Sequence, residues 1–341
     1  MANILELFNQ KEVLNYLQNR EFPTYLGESL FPEIKRQSLE FDQIKGGKKQ
    51  PVVASVHAFN TEAEIGSREA SKMALKLALI KRKIQMDERD IVAMESPRNA
   101  TEQQYLMQNV FNDIDVLVNG VKARVEAFRM EALATGKIVL DENGLKNVQV
   151  DYGVPDENKE ALAGAAQWTD PDSDPIGDLE RWADQLNGMG TRALTSKKVL
   201  NSLMRHPKIV AALFGKDSGR VASRQDLNAF MQQHDLPVIG VYDNKYRKQK
   251  ADGTYEQRRY FPENKFVIFG DGALGETIYG PTAEEIRLTR DPSIQTSKIG
   301  NVLAMVYEEN LDPVSTWTKA VATALPSFPA ADEVFQAQPI A

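Results

Sequence analysis

The sequence predicts an α+β chain of two domains with unusually extended limbs, and three stretches carry that expectation. Leu106, Val110, Ile114, Leu117, Val121, Val125, Phe128 and Ala132 step by 4, 4, 3, 4, 4, 3 and 4, a stripe close to the helical repeat held for about seven turns. Lys72, Ala74, Lys76 and Ala78 alternate with Met73, Leu75, Leu77 and Leu79, a period-2 pattern with one apolar face. From about residue 160 onward, short helical and strand-like segments alternate, as in an α/β domain. The length of 341 residues fits two domains.

Composition narrows the chemistry. With 42% hydrophobic and 26% charged residues the chain is globular, which rules out collagen, coiled coil and wholesale disorder. It has no cysteine, so disulfides, thiolate nucleophiles and cysteine-ligated zinc or iron–sulfur sites are excluded. Lys and Arg number 41 against 48 Asp and Glu, a net charge of −7 that opposes a surface built throughout to grip phosphate backbones. Local basic patches remain compatible with it. The longest clean apolar run, Ile209 to Phe214, falls far short of the 18 or so residues of a membrane span. Met1 to Phe8 lacks a basic segment followed by an apolar core, so a soluble cytoplasmic product without a secretory signal is expected.

Along the chain, Met1 to Gln18 places Ile4, Leu5, Phe8, Val13, Leu14 and Leu17 at helical steps and predicts a short amphipathic helix. Glu21 to Phe41 fits neither period: Pro23 and Pro32 with isolated Tyr25, Leu26, Leu30 and Phe31 predict an extended arm whose apolar groups find cover outside itself. A hairpin is expected next. Lys45 to Lys49 forms a turn, Pro51 to Phe59 a strand, Asn60 to Arg68 a polar connection, and Lys72 to Gln85 the returning strand. A cationic helix competes for that last run, because Ala, Leu, Met and Lys all favour helix. Six basic residues stand against one acidic between Ser67 and Lys83, a solvated face or a contact surface for another subunit. A two-stranded ribbon alone in water is marginal, so this one should lie on a neighbouring surface.

The long stripe predicts one helix of about 35 residues, capped by Asn99 or Thr101 and stopped at Gly136, spanning about 50 Å as a spine. Lys137 to Gly153 then reads as two strands around Asp141-Glu142-Asn143-Gly144. An Asp- and Pro-rich joint, Thr169 to Pro175, leads into a helix at Asp178 to Leu186. A break at Gly188 to Gly190 follows. Beyond it come helices at Ser196 to Phe214 and Ser223 to His234, a strand at Pro237 to Tyr242, a charged hairpin tip at Asn244 to Glu256 and a strand at Lys265 to Phe269. Late strands follow at Thr316 to Ala324 and Val334 to Gln338. No repeat of 20 to 50 residues is present.

Catalytic constellations are sparse. Gly270, Gly272 and Gly275 match G-x-G-x-x-G after a strand, the pattern of a nucleotide-dependent enzyme, yet Gly280-Pro281 leaves barely one turn for the helix that would hold a pyrophosphate. These glycines read as strand-exit turns. Asp170, Asp172, Asp174 and Asp178 begin like a calcium loop, but Pro175 and Arg181 stand where glycine and a bidentate glutamate are needed, so a turn with helix capping by Asp174 or Asp178 is expected. His57, His206 and His234 lack metal-ligand spacing and read as surface or structural residues. The interleaved bases and aromatics of Tyr242 to Tyr260 fit an exposed hairpin better than a single-strand nucleic-acid site. No catalytic residue, cofactor or metal site is assigned.

The whole order resembles the major capsid protein E family of tailed bacteriophages, the lambda-type head proteins with the HK97-like fold. The resemblance rests on Gly153 after Val148-Gln-Val-Asp, Trp168 before Asp174-Pro175-Ile-Gly-Asp178-Leu, and Phe261 to Phe269 leading to Gly275 and Tyr279-Gly280. Ala322-Thr-Ala-Leu-Pro326 and Asp332-Glu-Val-Phe335 extend it. It implies a helix and arm at 1–41, an extended loop at 42–92, a peripheral domain with the spine helix at 93–159 and 297–325, and an axial domain at 160–296 and 326–341. It also implies a non-enzymatic subunit assembling as pentamers and hexamers into an icosahedral shell around double-stranded DNA, without sequence-specific binding and without a membrane. A portal and a scaffolding protein acting in trans are implied partners, with room for a decoration protein; the place of residence is the virion, assembled in the host cytoplasm. A tail-tube subunit is the alternative within phage structure. For subunit contact the candidates are Leu75, Lys76, Leu77, Leu79, Lys81, Arg82 and Lys83, apolar and basic groups of the ribbon that need a partner surface.

Overall fold

The computed structural model describes residues 10–45, 71–140, 148–216, 218–250, 252–288, 301–309 and 314–341. The chain opens with α1 (Gln10–Asn19), α2 (Leu26–Leu30), β1 (Glu33–Lys35) and β2 (Glu40–Lys45). It continues with β3 (Ser71–Lys76), β4 (Ala78–Met86), α3 (Glu88–Glu95), the spine helix α4 (Ala100–Thr135), β5 (Lys137–Leu140), β6 (Val148–Asp151) and β7 (Lys159–Ala161). Then follow α5 (Pro175–Gln185), β8 (Arg192–Thr195), α6 (Lys197–Arg205), α7 (Pro207–Phe214), α8 (Arg224–Gln233), β9 (Val238–Val241), β10 (Lys245–Gln249) and β11 (Tyr255–Arg259). The last elements are β12 (Phe266–Phe269), β13 (Thr277–Gly280), α9 (Ala283–Leu288), β14 (Leu303–Glu309), β15 (Ser315–Pro326) and β16 (Phe335–Gln338).

Two compact units emerge, the first from Met1–Phe41, Lys76–Phe128 and Glu276–Pro326, the second from Asp42–Leu75, Arg129–Gly275 and Ser327–Ala341. β13 belongs to the first unit, where it pairs with β15, Ile278 opposite Leu325.

The spine helix runs 36 residues, those up to Phe128 in the first unit, and its predicted stripe is buried throughout, from Leu106 to Ala132. Asn99 caps it, its side-chain oxygen accepting the Glu102 amide at 2.9 Å, while the Glu102 carboxylate accepts the Arg98 amide at 2.8 Å. Gly136 ends it in the left-handed region at φ +70°, where a Cβ would also sit 2.7 Å from Val154. The stripe packs on a five-stranded sheet through Ala320, Ala322 and Ala324 of β15, whose small side chains bring helix and sheet close. Leu14 of α1 packs against Leu303 and Val321, and Tyr16 meets Phe111 of the spine with ring centroids 4.5 Å apart.

The expected arm finds its cover outside itself, on the sheet of its own chain, and part of it is regular, as α2 and β1. Phe31 is fully buried and Leu30 nearly so, because β1 joins the sheet in parallel beside β13. The Thr277 hydroxyl donates to the Phe31 carbonyl at 2.8 Å, and the buried Glu126 carboxylate accepts the Gly27 amide at 3.0 Å. Two prolines broke the sequence periodicity, but a three-residue strand needs none.

The expected returning strand of the hairpin is also corrected. It divides at Leu77: β3 pairs with β2, whereas β4 pairs along its whole length with β15, Ala78 opposite Ala324 and Met86 opposite Thr316. The apolar phase changes with it. Met73, Leu75 and Leu77 turn inward before the break, and Ile80, Ile84 and Met86 pack on the spine after it, leaving Leu79 on the outer face. The turn, strand and connection expected between Gly46 and Arg68 lie outside the described residues.

The second unit has a five-stranded sheet in the order β7-β16-β12-β8-β9, with helices packed on an aromatic core. Trp168 and Trp182 stack at 5.4 Å, Phe335 stacks on Trp182 at 5.5 Å, and Phe266 meets Trp168 edge-on at 5.4 Å. Each indole has a polar tie: Trp168 Nε1 donates to Asp178 at 3.0 Å, and Trp182 Nε1 donates to Glu160. The helix expected over Ser196 to Phe214 is two helices, since the residue before Pro207 is held extended, His206 at φ −66° and ψ 130°. Ser223 and Asp226 form a reciprocal capping box on α8. β8, β13, β14 and α3 were not expected; β8 and β13 are four residues long and lie beside glycines that read as turns.

Candidate assembly surfaces

Of the candidate contact residues, the structure takes two inside. Leu75 is 6% exposed, and Leu77 donates its amide to Leu39 O at 2.9 Å while its side chain fills the space that a Cβ on Gly280 would need. Both therefore meet other groups of their own chain, Leu77 while half-buried. Lys76 is exposed with Nζ 3.2 Å from Glu40, an ion pair worth little in open solvent. Leu79, Lys81 and Lys83 form a row on the outer face of β4, with Leu79 57% exposed and Lys83 Nζ 3.4 Å from the Trp317 ring centroid. Arg82 falls on the opposite face of the strand and is exposed. Among the described residues β4 pairs on one side alone, and basic residues at such an edge discourage unselective strand pairing.

The remaining motifs resolve as structure. Gly270 and Gly275 sit where a Cβ would strike the Met189 carbonyl oxygen at 2.8 Å and the Ser327 carbonyl oxygen at 2.1 Å, and Gly272 has φ +94°. Arg192 donates to the Gly270 and Gly272 carbonyls at 2.8 and 3.0 Å, and the next element is the strand β13, with no helix to receive a pyrophosphate. The Asp-rich joint is a turn: Asp170 Oδ1 accepts the Asp172 amide at 2.9 Å, and the Ser173 hydroxyl donates to Asp170 O at 2.8 Å. The expected capping is corrected, since Asp174 holds the N-cap position of α5 without a side-chain bond and Asp178 serves Trp168 and Arg181. Among the described residues no group of three or more His, Asp and Glu could hold a metal ion.

His206 is buried and satisfied. Its Nδ1 accepts the Lys208 amide at 3.3 Å at the start of α7, and Nε2 lies 3.0 Å from Asp170 O and 3.1 Å from the Ser173 hydroxyl, an arrangement that needs the neutral ring. Burial pushes its pKa below the ordinary 6.5, outweighing the hydrogen bond to Asp170. The unfolded chain therefore takes up a proton first as pH falls through 6.5, and folded stability drops until the native ring itself protonates. Urea midpoints should fall more from pH 7.5 to 5.5 for the natural chain than for His206→Asn, which keeps the cap without a titrating ring; equal falls would refute this role. At Glu160, burial pushes the pKa up, but hydrogen bonds from Arg181 and Trp182 prevail and hold it below the usual range.

Several exposed apolar groups lie off every stripe, among them Tyr105 and Val116 on the spine helix, Val92 on α3, and Leu39. The sequence profile of phage major capsid protein E matches residues 9–338. The chain belongs to the phage major capsid protein E family. It is 22% identical over 292 residues to the P21 prophage-derived major head protein of Escherichia coli O6:H1, covering 80% of this chain and 83% of that one. The major capsid protein of Enterobacteria phage P21 matches to the same extent. Among solved structures, a protein assigned as the capsid protein of an E. coli CFT073 prophage superposes with a TM-score of 0.65 at 18% identity, over 98% of this chain and 99% of that one. A phage-related protein of Bordetella bronchiseptica gives 0.55 at 13% identity, over 96% of each chain.

This is a major capsid protein of a phage or prophage with the HK97-like fold, a structural component of the virion. The tail-tube alternative falls with the family match, and the nucleotide-enzyme alternative falls with the strand that follows Gly275.

Proposed function

We propose that this capsid protein closes through rings of five and six copies into an icosahedral shell around double-stranded DNA, without enzymatic activity and without reading DNA sequence. The match to the capsid family over residues 9–338 carries this reading. The unit built on the spine helix takes the peripheral place and the aromatic-cored unit the axial place. Contacts between different patches on successive copies are heterologous and close into rings when the rotation permits. The outer row Leu79, Lys81 and Lys83, with Lys76 and Arg82, remains the candidate contact from the ribbon side. An acidic chain of net charge −7 suits a wall that must release the genome it encloses. A scaffolding protein in trans, a portal and a decoration protein complete the partners, with assembly in the host cytoplasm. No helix among the described residues is long and apolar enough to cross a membrane.

Sedimentation velocity of the chain expressed with its neighbouring head gene products tests the reading. Particles far larger than one 38.2 kDa subunit are expected. A monomer under all conditions would contradict it.

A further inference from the structure

The second unit carries opposite charges on two separate exposed loops, an acidic turn and a basic ribbon. A single row of paired residues crosses its five-stranded sheet: Glu160, Ala337, Phe266, Thr195 and Val241. β7 and β9 are the edge strands and run in the same direction, so the chain leaves both past the same end. Four strand spacings, about 19 Å, separate those edges. Beyond β7 the chain follows the end of β16, with Leu162 N donating to Gln338 O and Trp168 N to Pro339 O, and then makes the Asp170 to Asp174 turn. Beyond β9 it makes the β10–β11 ribbon, a two-stranded sheet of its own.

The ribbon is basic and aimed. Its root is fixed by Arg259, 2.6 Å from Asp243 and 3.4 Å from Glu263, and by Tyr246 packed on Tyr260 at 4.9 Å. Lys245 and Arg247 share one exposed face with Tyr255, over which Arg247 lies at 5.3 Å. Arg and Tyr are the residue types that anchor protein interfaces. Asp172 and Asp174 are exposed on a turn held by its own hydrogen bonds and seated where α6 gives way to α7, with His206 Nε2 3.0 Å from Asp170 O and Lys208 only loosely approaching Asp174 at 3.8 Å.

We propose that the Lys245/Arg247 face of the ribbon docks on the Asp172/Asp174 turn of the next copy, a head-to-tail contact that sets the register of neighbours around a ring. The proposal rests on the shell reading and names surfaces for it. Opposite charges on two separate loops let every copy act as both donor and receiver, as a closed ring requires. The charges set orientation and partner choice, and salt weakens them.

The test uses the full chain under shell-forming conditions, scored by sedimentation. Lys245→Glu with Arg247→Glu, and separately Asp172→Lys with Asp174→Lys, should each raise the concentration needed for assembly about tenfold. All four changes together should restore assembly to near the natural level. Lys245→Gln with Arg247→Gln should assemble with less dependence on salt, and circular dichroism verifies the fold of each variant. The proposal is overturned if the combined variant assembles no better than the weaker reversal, or if the ribbon reversal assembles like the natural chain. A natural chain that never assembles overturns the shell reading, and the docking with it.

Discussion

Trp182→Ala should destabilise the second unit by about 3–5 kcal/mol, the range for emptying a large aromatic site in a packed core. Trp182 is fully buried and touches three other rings, with centroids at 5.4 Å for Trp168, 5.5 Å for Phe335 and 6.1 Å for Phe266. These come from β12, β16 and the segment before α5, so no single element can move to fill the space. The indole also donates to Glu160, whose carboxylate keeps Arg181 as a partner after the change. Guanidinium unfolding followed by far-ultraviolet circular dichroism measures the loss. A shift below about 1 kcal/mol would mean that the aromatic cluster is not the core of this unit.

Gly275→Ala should cost about 3 kcal/mol, at the upper end of overpacking. The new Cβ would lie 2.1 Å from the Ser327 carbonyl oxygen, 2.9 Å from its carbon and 3.0 Å from Pro329 Cδ. None of these can rotate away as a side chain would. Gly275 precedes β13 and Ser327 follows β15, whose pairing begins with Thr277 opposite Pro326, so relief would come by prising that register open. Gly120→Ala is the matched control: it lies inside the spine helix with nothing within 4 Å of the new Cβ, and should stabilise by about 1 kcal/mol. The same unfolding midpoint for Gly275→Ala and the natural chain would contradict this packing.

Legibility in the sequence followed the length of each pattern. The spine helix could be read almost to the residue because its stripe repeats over seven turns and both ends carry local signals, Asn99 and Gly136. The β10–β11 hairpin and the strand at Phe266 were legible for similar reasons, dense alternation or an unbroken apolar run. The strand pattern through Lys72 to Gln85 was also correct in kind. Its division was hidden because Leu77, Leu79 and Ile80 are all apolar, so the change of phase leaves only an apolar doublet, Leu79-Ile80, to mark it. β1 and β13 escaped notice because strands of three and four residues carry too few side chains for a period.

The surfaces were less legible than the fold. Leu75 and Leu77 looked like unmet apolar groups because alternation shows which residues share a face and says nothing of what covers it. The charged loops of the second unit were hidden for a different reason. The Asp-rich turn and the basic ribbon stand about 70 residues apart, and only the fold brings them into one unit.

Electron cryo-microscopy of the particles made by the natural chain addresses the claim that this molecule works by joining copies of itself. Closed icosahedral shells are predicted, with the ribbon of each aromatic-cored unit seated against the acidic turn of its neighbour. Dispersed single subunits, or stacked tubes in place of shells, would contradict the account.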